Sequence, residues 1–254
     1  MKFLGIIPAR YASTRFPGKP LADLMGKPMI QWVYESVVDV LDQVVVATDD
    51  ERILKVLLEQ NKEVIMTSPD HQSGTDRCLE AYTKLKLKLK YDFDVIVNIQ
   101  GDEPFIHHSQ IELLKSAFKN PYTQIATLVK PFSKDDDFEN LLNPNTPKVL
   151  LNSKGQAIYF SRSIIPFIRS KHHSEWLNSH VFYKHIGIYA YKAEVLQEIT
   201  SLPQSVLEKA ESLEQLSWIE NGYHIQTMIT DKETIGIDTP EDLEKAVKIL
   251  KNLK

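Results

Sequence analysis

Short β-rich apolar runs alternate along this chain with longer segments of helical period, and that alternation is the pattern of an α/β fold on a mostly parallel sheet. The runs are residues 3–8 (FLGIIP), 43–48 (QVVVAT), 63–66 (EVIM), 94–100 (DVIVNIQ) and 124–129 (QIATLV). Between them, residues 29–40, 50–60, 74–88 and 109–118 carry helical spacing. Near-continuous apolar strands such as VIVNI imply burial on both faces, hence helices on both sides of the sheet. Asp50 and Ser109 stand where helix N-caps belong. Glu112, three residues after Ser109, completes a capping box there, whereas Ile53 completes none after Asp50. The first half reads as one doubly wound unit.

Residues 130–191 change character. Pro131, Pro144, Pro147 and Pro166, the acidic stretch 134–139 and short strand-like runs at 149–151, 157–160 and 185–191 indicate a smaller antiparallel insertion lobe within a single domain spanning 1–254. Beyond it, residues 205–221 and 240–250 read as helices, and 224–229 and 234–237 as strands. The biased segment 84–90 (KLKLKLK) reads as a helix end with solvated lysines, because alternation spreads the lysines off any single helical stripe.

Composition narrows the partners. With 30 Lys+Arg against 34 Asp+Glu, the net charge of −4 excludes the broad basic face that a nucleic acid or an anionic membrane demands. Any anionic ligand must be met by a local cluster of cations. The single Cys78 leaves no intramolecular disulfide and no multi-cysteine zinc site. The apolar run at residues 3–8, ahead of Arg10, is too short for a signal peptide, and no later run approaches the ~18 apolar residues of a membrane span. A cytoplasmic location is the expectation.

Three segments carry chemistry. Residues 8–19 (PARYASTRFPGK) follow the first strand, at the sheet edge where open α/β folds place ligands. Arg10, Arg15 and Lys19 suit a polyphosphate, since Arg forks onto phosphate oxygens and Lys acts as a mobile point charge. The glycine spacing is neither that of a Walker A loop nor that of GxGxxG. A solvated basic loop is the alternative. QGDEP at 100–104 and GIDTP at 236–240 each follow an apolar run and place Asp102 and Asp238 at strand ends. Two such carboxylates together with phosphate oxygens make a magnesium site. Asp238 also fits a helix cap before Pro240, and Asp102 a turn residue after Gly101.

The motifs IIPARYASTRFPGKPL, DHQSGTDR, VNIQGDEP, YFSRSIIP, KHIGIYAY, LEQL and GIDTPEDLE occur in this order from residue 3 to about 250. In them the chain closely resembles the 3-deoxy-manno-octulosonate cytidylyltransferase (CMP-Kdo synthetase) family. GKPL and DTPEDL recur across sugar nucleotidyltransferases, whereas DHQSGTDR with YFSR and HIGIYAY is much more specific. The resemblance implies a Rossmann-like nucleotidyltransferase fold, a homodimer to which the lobe contributes, and conversion of CTP and Kdo to CMP-Kdo and diphosphate with Mg2+, for lipopolysaccharide biosynthesis.

By the same resemblance, Arg10, Arg15 and Lys19 are the triphosphate-binding cations, and Asp102 and Asp238 the magnesium ligands. Ser73, Gly74 and Thr75, with Gln100, fall where the family holds cytidine and sugar, and Arg77 orders that turn or reaches a phosphate. Arg162, His185, Tyr189, Glu214 and Gln215 match positions around the sugar acid. Read without the family, Tyr189 could be core, His185 a surface residue, and Glu214 and Gln215 a solvated helix face. The same chemistry on 8-amino-Kdo or another nonulosonic acid is the nearest alternative. A metal-dependent glycosyltransferase and a nucleotide-sensing module are more distant ones.

Overall fold

In the computed structural model, which describes every residue except Thr14, Lys90, Tyr91, Leu253 and Lys254, the alternating runs become strands and helices in the expected order. β1 (Phe3–Ala9) leads through a ribbon of β2 (Asp23–Leu24) and β3 (Lys27–Pro28) to α1 (Met29–Val37), β4 (Gln43–Thr48), α2 (Glu51–Glu59), β5 (Val64–Met66), α3 (Gly74–Leu89), β6 (Val95–Asn98) and α4 (His108–Ala117). There follow β7 (Ile125–Pro131), α5 (Phe138–Leu142), β8 (Lys148–Leu151), β9 (Ala157–Ser161), α6 (Trp176–Ser179) and β10 (Tyr183–Lys192). The chain closes with α7 (Ala193–Ile199), α8 (Val206–Glu211), α9 (Gln215–Glu220), β11 (Ile225–Ile229) and α10 (Pro240–Asn252). These elements fall into two compact units. The first holds Met1–Glu112, Ala190–Thr200 and Thr234–Lys254, the second Leu113–Tyr189 and Ser201–Glu233.

In the first unit β5, β4, β1 and β6 lie side by side and parallel, with Leu4 opposite Gln43 and Ile96, and Ala47 opposite Ile65. Parallel pairing aligns the strands' carboxyl ends, so Ala9, Thr48 and Asn98 deliver their following loops to one edge. The strands are apolar along their length because both faces are covered: Leu4, Ile6, Ile7, Val45, Val46, Ile96 and Val97 are fully buried. A separate cluster of Leu24, Met29, Ile237 and Ala246, flanked by Trp32, Phe105 and Leu243, packs α10 onto the β2–β3 ribbon and α1.

In the second unit β11 runs parallel to β7, with Ile225 opposite Ile125, and β7 neighbours β10. The antiparallel hairpin β8–β9 pairs with the start of β10 at Val149 and Tyr183. Phe132, Leu141, Trp176 and Phe182 form a second buried cluster in this unit. The fold class is the expected α/β arrangement on a mixed, mostly parallel sheet.

Five local expectations meet different outcomes. Asp50 caps α2 by accepting from the Arg52 backbone N–H at 2.9 Å. Ser109 does not cap α4: the helix begins one residue earlier, and Gln110 Oε1 accepts from the His107 backbone N–H at 3.0 Å instead. The single helix expected over residues 205–221 is two, because Ser212 takes the left-handed conformation (φ 51°) after α8. No strand forms over residues 234–237, where Ile237 N–H bonds the Asp102 carbonyl at 2.9 Å without a ladder. The KLKLKLK segment is helical through Leu89 with its three described lysines exposed, and Lys90 lies outside the described residues.

Candidate active site

The loop after β1 is curled on itself. Gly18, at φ 74°, donates its N–H to the Tyr11 carbonyl at 2.9 Å, and a Cβ there would stand 2.9 Å from the Tyr11 ring. Only glycine meets both conditions without strain. The Tyr11 ring also carries the Arg52 guanidinium, 3.3 Å from its centroid, and Arg52 is forked onto Asp50 at 2.9 and 2.6 Å. This anchoring sets the course of the loop that bears Arg10, Arg15 and Lys19.

Two carboxylates converge on that loop. Lys19 Nζ lies 2.6 Å from Asp102 and 3.0 Å from Asp238, and Arg15 reaches Asp238 at 3.0 Å. Burial works against the charge on Lys19, but Asp102, and then Asp238, hold its ammonium above the ordinary lysine range. Asp102 is brought in by the turn after β6, where Gly101 passes so close to β1 that a Cβ would lie 2.5 Å from the Pro8 carbonyl oxygen. Asp238 is brought in by the Ile237–Asp102 backbone bond. Thr239 Oγ1 accepts from the Asp242 N–H at 3.2 Å and Asp242 accepts in return from the N–H groups of Asp238 and Thr239 at 3.3 and 3.2 Å, so Thr239 with Asp242 does the capping work that the sequence offered to Asp238.

The third side is the start of α3. Ser73 and Asp76 cap each other reciprocally, Ser73 Oγ accepting from Asp76 N–H at 3.0 Å and Asp76 from Ser73 N–H at 3.2 Å. Arg77 is buried, and its guanidinium donates to Asp49 at 2.8 Å and to Thr67 Oγ1 at 2.5 Å. Thr75 is also buried. The result is a cavity of about 470 Å³ lined by Arg10, Arg15, Lys19, Ser73, Gly74, Arg77, Gln100, Asp102 and Asp238; Thr75 is not part of its wall. Arg10 is exposed and makes no ion pair with any described residue.

The donor set fits a hard divalent cation. Asp102 and Asp238 stand close enough to share one ammonium, so the Lys19 Nζ marks a place between two carboxylates where positive charge is already favoured. Beside them Glu103 keeps a buried Oε2 with no hydrogen-bond partner. Burial, with Asp102 and Asp238 adding to it, pushes the Glu103 carboxyl up to about 8. Among the described residues no group of three or more His, Cys, Asp or Glu side chains forms a self-sufficient metal cage. Mg2+ does not need one, since it keeps several waters and binds through one or two carboxylates with phosphates.

Of the residues expected around the sugar, Gln100 lines the cavity in the first unit and the other five belong to the second. His185 Nε2 lies 3.1 Å from Thr127 Oγ1, its ring packed edge-on to Phe160 and beside Tyr189. Burial drives His185 down to about 3, so the imidazole is neutral. Tyr189 packs edge-to-face on Trp218, and burial, reinforced by Glu214, raises its phenol well above the usual range. Gln215, at the start of α9, is buried with Nε2 unpaired. Arg162 donates to three backbone carbonyls, those of Glu211 (2.6 Å), Pro144 (2.9 Å) and Ser212 (3.2 Å). The Glu211 carboxylate in turn accepts from Ser161 Oγ and the Arg162 backbone N–H.

Sequence reasoning passed over Glu103, Asp49, Thr127 and Glu211. Glu103 sits inside QGDEP and was legible as a second acid in that motif. The other three are set by long-range partners, which no local spacing reveals.

A parallel sheet whose strand-end loops gather three cations and Asp102 around one cavity, with Asp238 brought in ahead of α10, has the arrangement of a nucleotide-handling enzyme of the nucleotidyltransferase class. The cytidylyltransferase family profile matches residues 4–235, and the chain belongs to that family. It is 67% identical over 253 residues to the 3-deoxy-manno-octulosonate cytidylyltransferase of Parabacteroides distasonis, covering 99% of both chains. To the enzyme of that name from Bacteroides thetaiotaomicron it is 63% identical over 252 residues, again covering 99% of each. The solved structure of CMP:2-keto-3-deoxy-manno-octonic acid synthetase complexed with CTP superposes with a TM-score of 0.90 at 40% identity, covering all of both chains. A 4-diphosphocytidyl-2C-methyl-D-erythritol synthase from Anaerococcus prevotii, at 15% identity and TM-score 0.61 over 98% of this chain and 99% of its own, shares the fold.

Proposed function

We propose that this enzyme couples CTP to 3-deoxy-manno-octulosonate, giving CMP-Kdo and diphosphate in the cytoplasm for lipopolysaccharide biosynthesis. One observation carries the reading: Arg10, Arg15, Lys19, Ser73, Gly74, Asp102 and Asp238 converge on a single cavity in a chain 67% identical to a protein bearing that name. Among the described residues no helix is long and apolar enough to cross a membrane.

In the mechanism, the anomeric 2-hydroxyl of the sugar attacks the α-phosphorus in line and diphosphate departs, with no covalent enzyme intermediate. The chain supplies position and charge. Arg10, Arg15 and Lys19 hold the β- and γ-phosphates and offset charge on the leaving group. The start of α3 at Ser73 and Gly74, with Gln100, receives the cytidine part, and Arg77, held by Asp49 and Thr67, keeps that turn in place. Asp102 and Asp238 would hold Mg2+. Bound there, Mg2+ would supply Lewis-acid polarisation of the phosphate and would favour deprotonation of the attacking hydroxyl.

Neutral His185, Tyr189, Glu214 and Gln215 offer the hydrogen bonds that a polyhydroxylated acid needs, Gln215 through its unpaired Nε2. Arg162 retains two of its five N–H donors for the sugar carboxylate after bonding three carbonyls. A homodimer is part of the proposal, supported by exposed Phe167, Ile158 and Val181 in the 130–191 stretch. Light scattering that gives a single 29.2 kDa chain would remove it. The reaction is tested by diphosphate release from CTP with Kdo, with 8-amino-Kdo, and with no sugar. Turnover that prefers another nonulosonic acid would reassign the acceptor.

A further inference from the structure

The loop that joins β5 to α3, residues 67–73, is pinned from above by side chains of α3 itself. Arg77, one turn into the helix, holds its beginning through Thr67. Glu80, nearly one turn further, holds the rest. Its Oε2 accepts from the Ser68 backbone N–H at 2.8 Å and meets His71 Nε2 in a very short contact. Its Oε1 pairs with Lys84 Nζ at 2.7 Å, and that same ammonium donates to the Met66 carbonyl at 2.8 Å. Burial opposes the charge, but Lys84, the Ser68 N–H and His71 together hold the Glu80 carboxyl down to about 2. Glu80 therefore ties the end of β5, Ser68 and His71 to the body of α3. None of the atoms it touches lines the cavity, yet Ser73 and Gly74, two and three residues beyond His71, do.

We propose that Glu80 is a positioning residue for the nucleotide: by clamping Ser68 and His71 it fixes where Ser73 and Gly74 present the start of α3, and so sets the affinity for CTP. The idea rests on the assignment of that turn to CTP. Pre-organisation of this kind stabilises a complex by removing the ordering cost of a loop at the moment of binding. A carboxylate is suited to the task because it accepts from a backbone amide, an imidazole and an ammonium at once. His71 supplies the reach, since its ring spans from the loop to the helix and leaves Ser73 free for its own reciprocal cap with Asp76.

The experiment compares Glu80→Ala, Glu80→Gln and His71→Ala with the wild type by steady-state kinetics and by equilibrium CTP binding to the same preparations. Glu80→Ala is expected to weaken CTP binding and raise its KM by about tenfold, with kcat and the KM for Kdo within about twofold of the wild type. Glu80→Gln keeps one oxygen for the Ser68 N–H and His71 but turns its NH2 toward the Lys84 ammonium, and it should show a smaller loss of the same kind, as should His71→Ala. An unchanged CTP affinity in Glu80→Ala would overturn the proposal, as would equal changes in the KM for CTP, the KM for Kdo and kcat. If Glu80→Ala does not fold, Glu80→Gln and His71→Ala decide by the same split. A wild-type enzyme that binds CTP without forming CMP-Kdo would sink the functional reading, while the binding comparison would still judge Glu80.

Discussion

Lys19 stands between Asp102 and Asp238, and Arg15 holds the outer oxygen of Asp238. A cation-rich loop and an anion pair thus neutralise each other; in the proposed reading a triphosphate and its metal divide them. Asp238→Asn removes one anionic ligand while leaving Thr239 and Asp242 to cap α10. We expect a normal thermal unfolding midpoint and a loss of Mg2+-dependent turnover of about a hundredfold or more. Near-wild-type kcat would contradict the metal assignment. His185 makes a different prediction. Its folded value of about 3 lies below its ordinary 6.5, so the unfolded chain takes up a proton that the native chain refuses. The contribution is complete above pH 6.5 and is lost as the pH falls from 6.5 toward 3. Urea midpoints measured across that window should decline less steeply for His185→Asn than for the wild type, and parallel declines would show that His185 is not held neutral.

At the scale of elements, the capping assignments separate cleanly. Asp50→Ala removes the cap of α2 together with the fork that holds Arg52 over Tyr11, and should cost about 1–2 kcal/mol. Ser109→Ala lies inside the first turn of α4 and should stay within about 0.5 kcal/mol. Chemical denaturation of the two variants checks both, and a reversed order would mean that the α4 boundary is misplaced. The sequence could not make this distinction, because a capping box is a spacing rule and Ser109 with Glu112 satisfies it. What decided the matter was Gln110, whose amide oxygen accepts from the His107 backbone N–H three residues upstream. The strands were legible because both their faces are buried, which writes unbroken apolar runs into the chain. The break at Ser212 was not, since a left-handed serine carries no compositional sign. Nor was the failure of residues 234–237 to form a strand, because an apolar extended segment looks the same whether or not a neighbour completes a ladder.

For the molecule as a whole, the net charge of −4 turns out to say little about the ligand, because the working cations sit in ten residues of one loop. The order of motifs did more: Arg10, Arg15, Lys19, Ser73, Gly74, Gln100, Asp102 and Asp238 are far apart in sequence and line one cavity. What stayed hidden were the residues that hold these in place, such as Asp49 behind Arg77 and Glu211 behind Arg162, since each is defined by its partner and not by its neighbours in the chain. The measurement that tests the central claim most directly is phosphorus NMR of CTP, Kdo and Mg2+ incubated with the enzyme. The account predicts diphosphate and a CMP-sugar phosphodiester in equal amounts, formed only when Kdo is present. Release of CDP or inorganic phosphate, or diphosphate formed equally without Kdo, would contradict it.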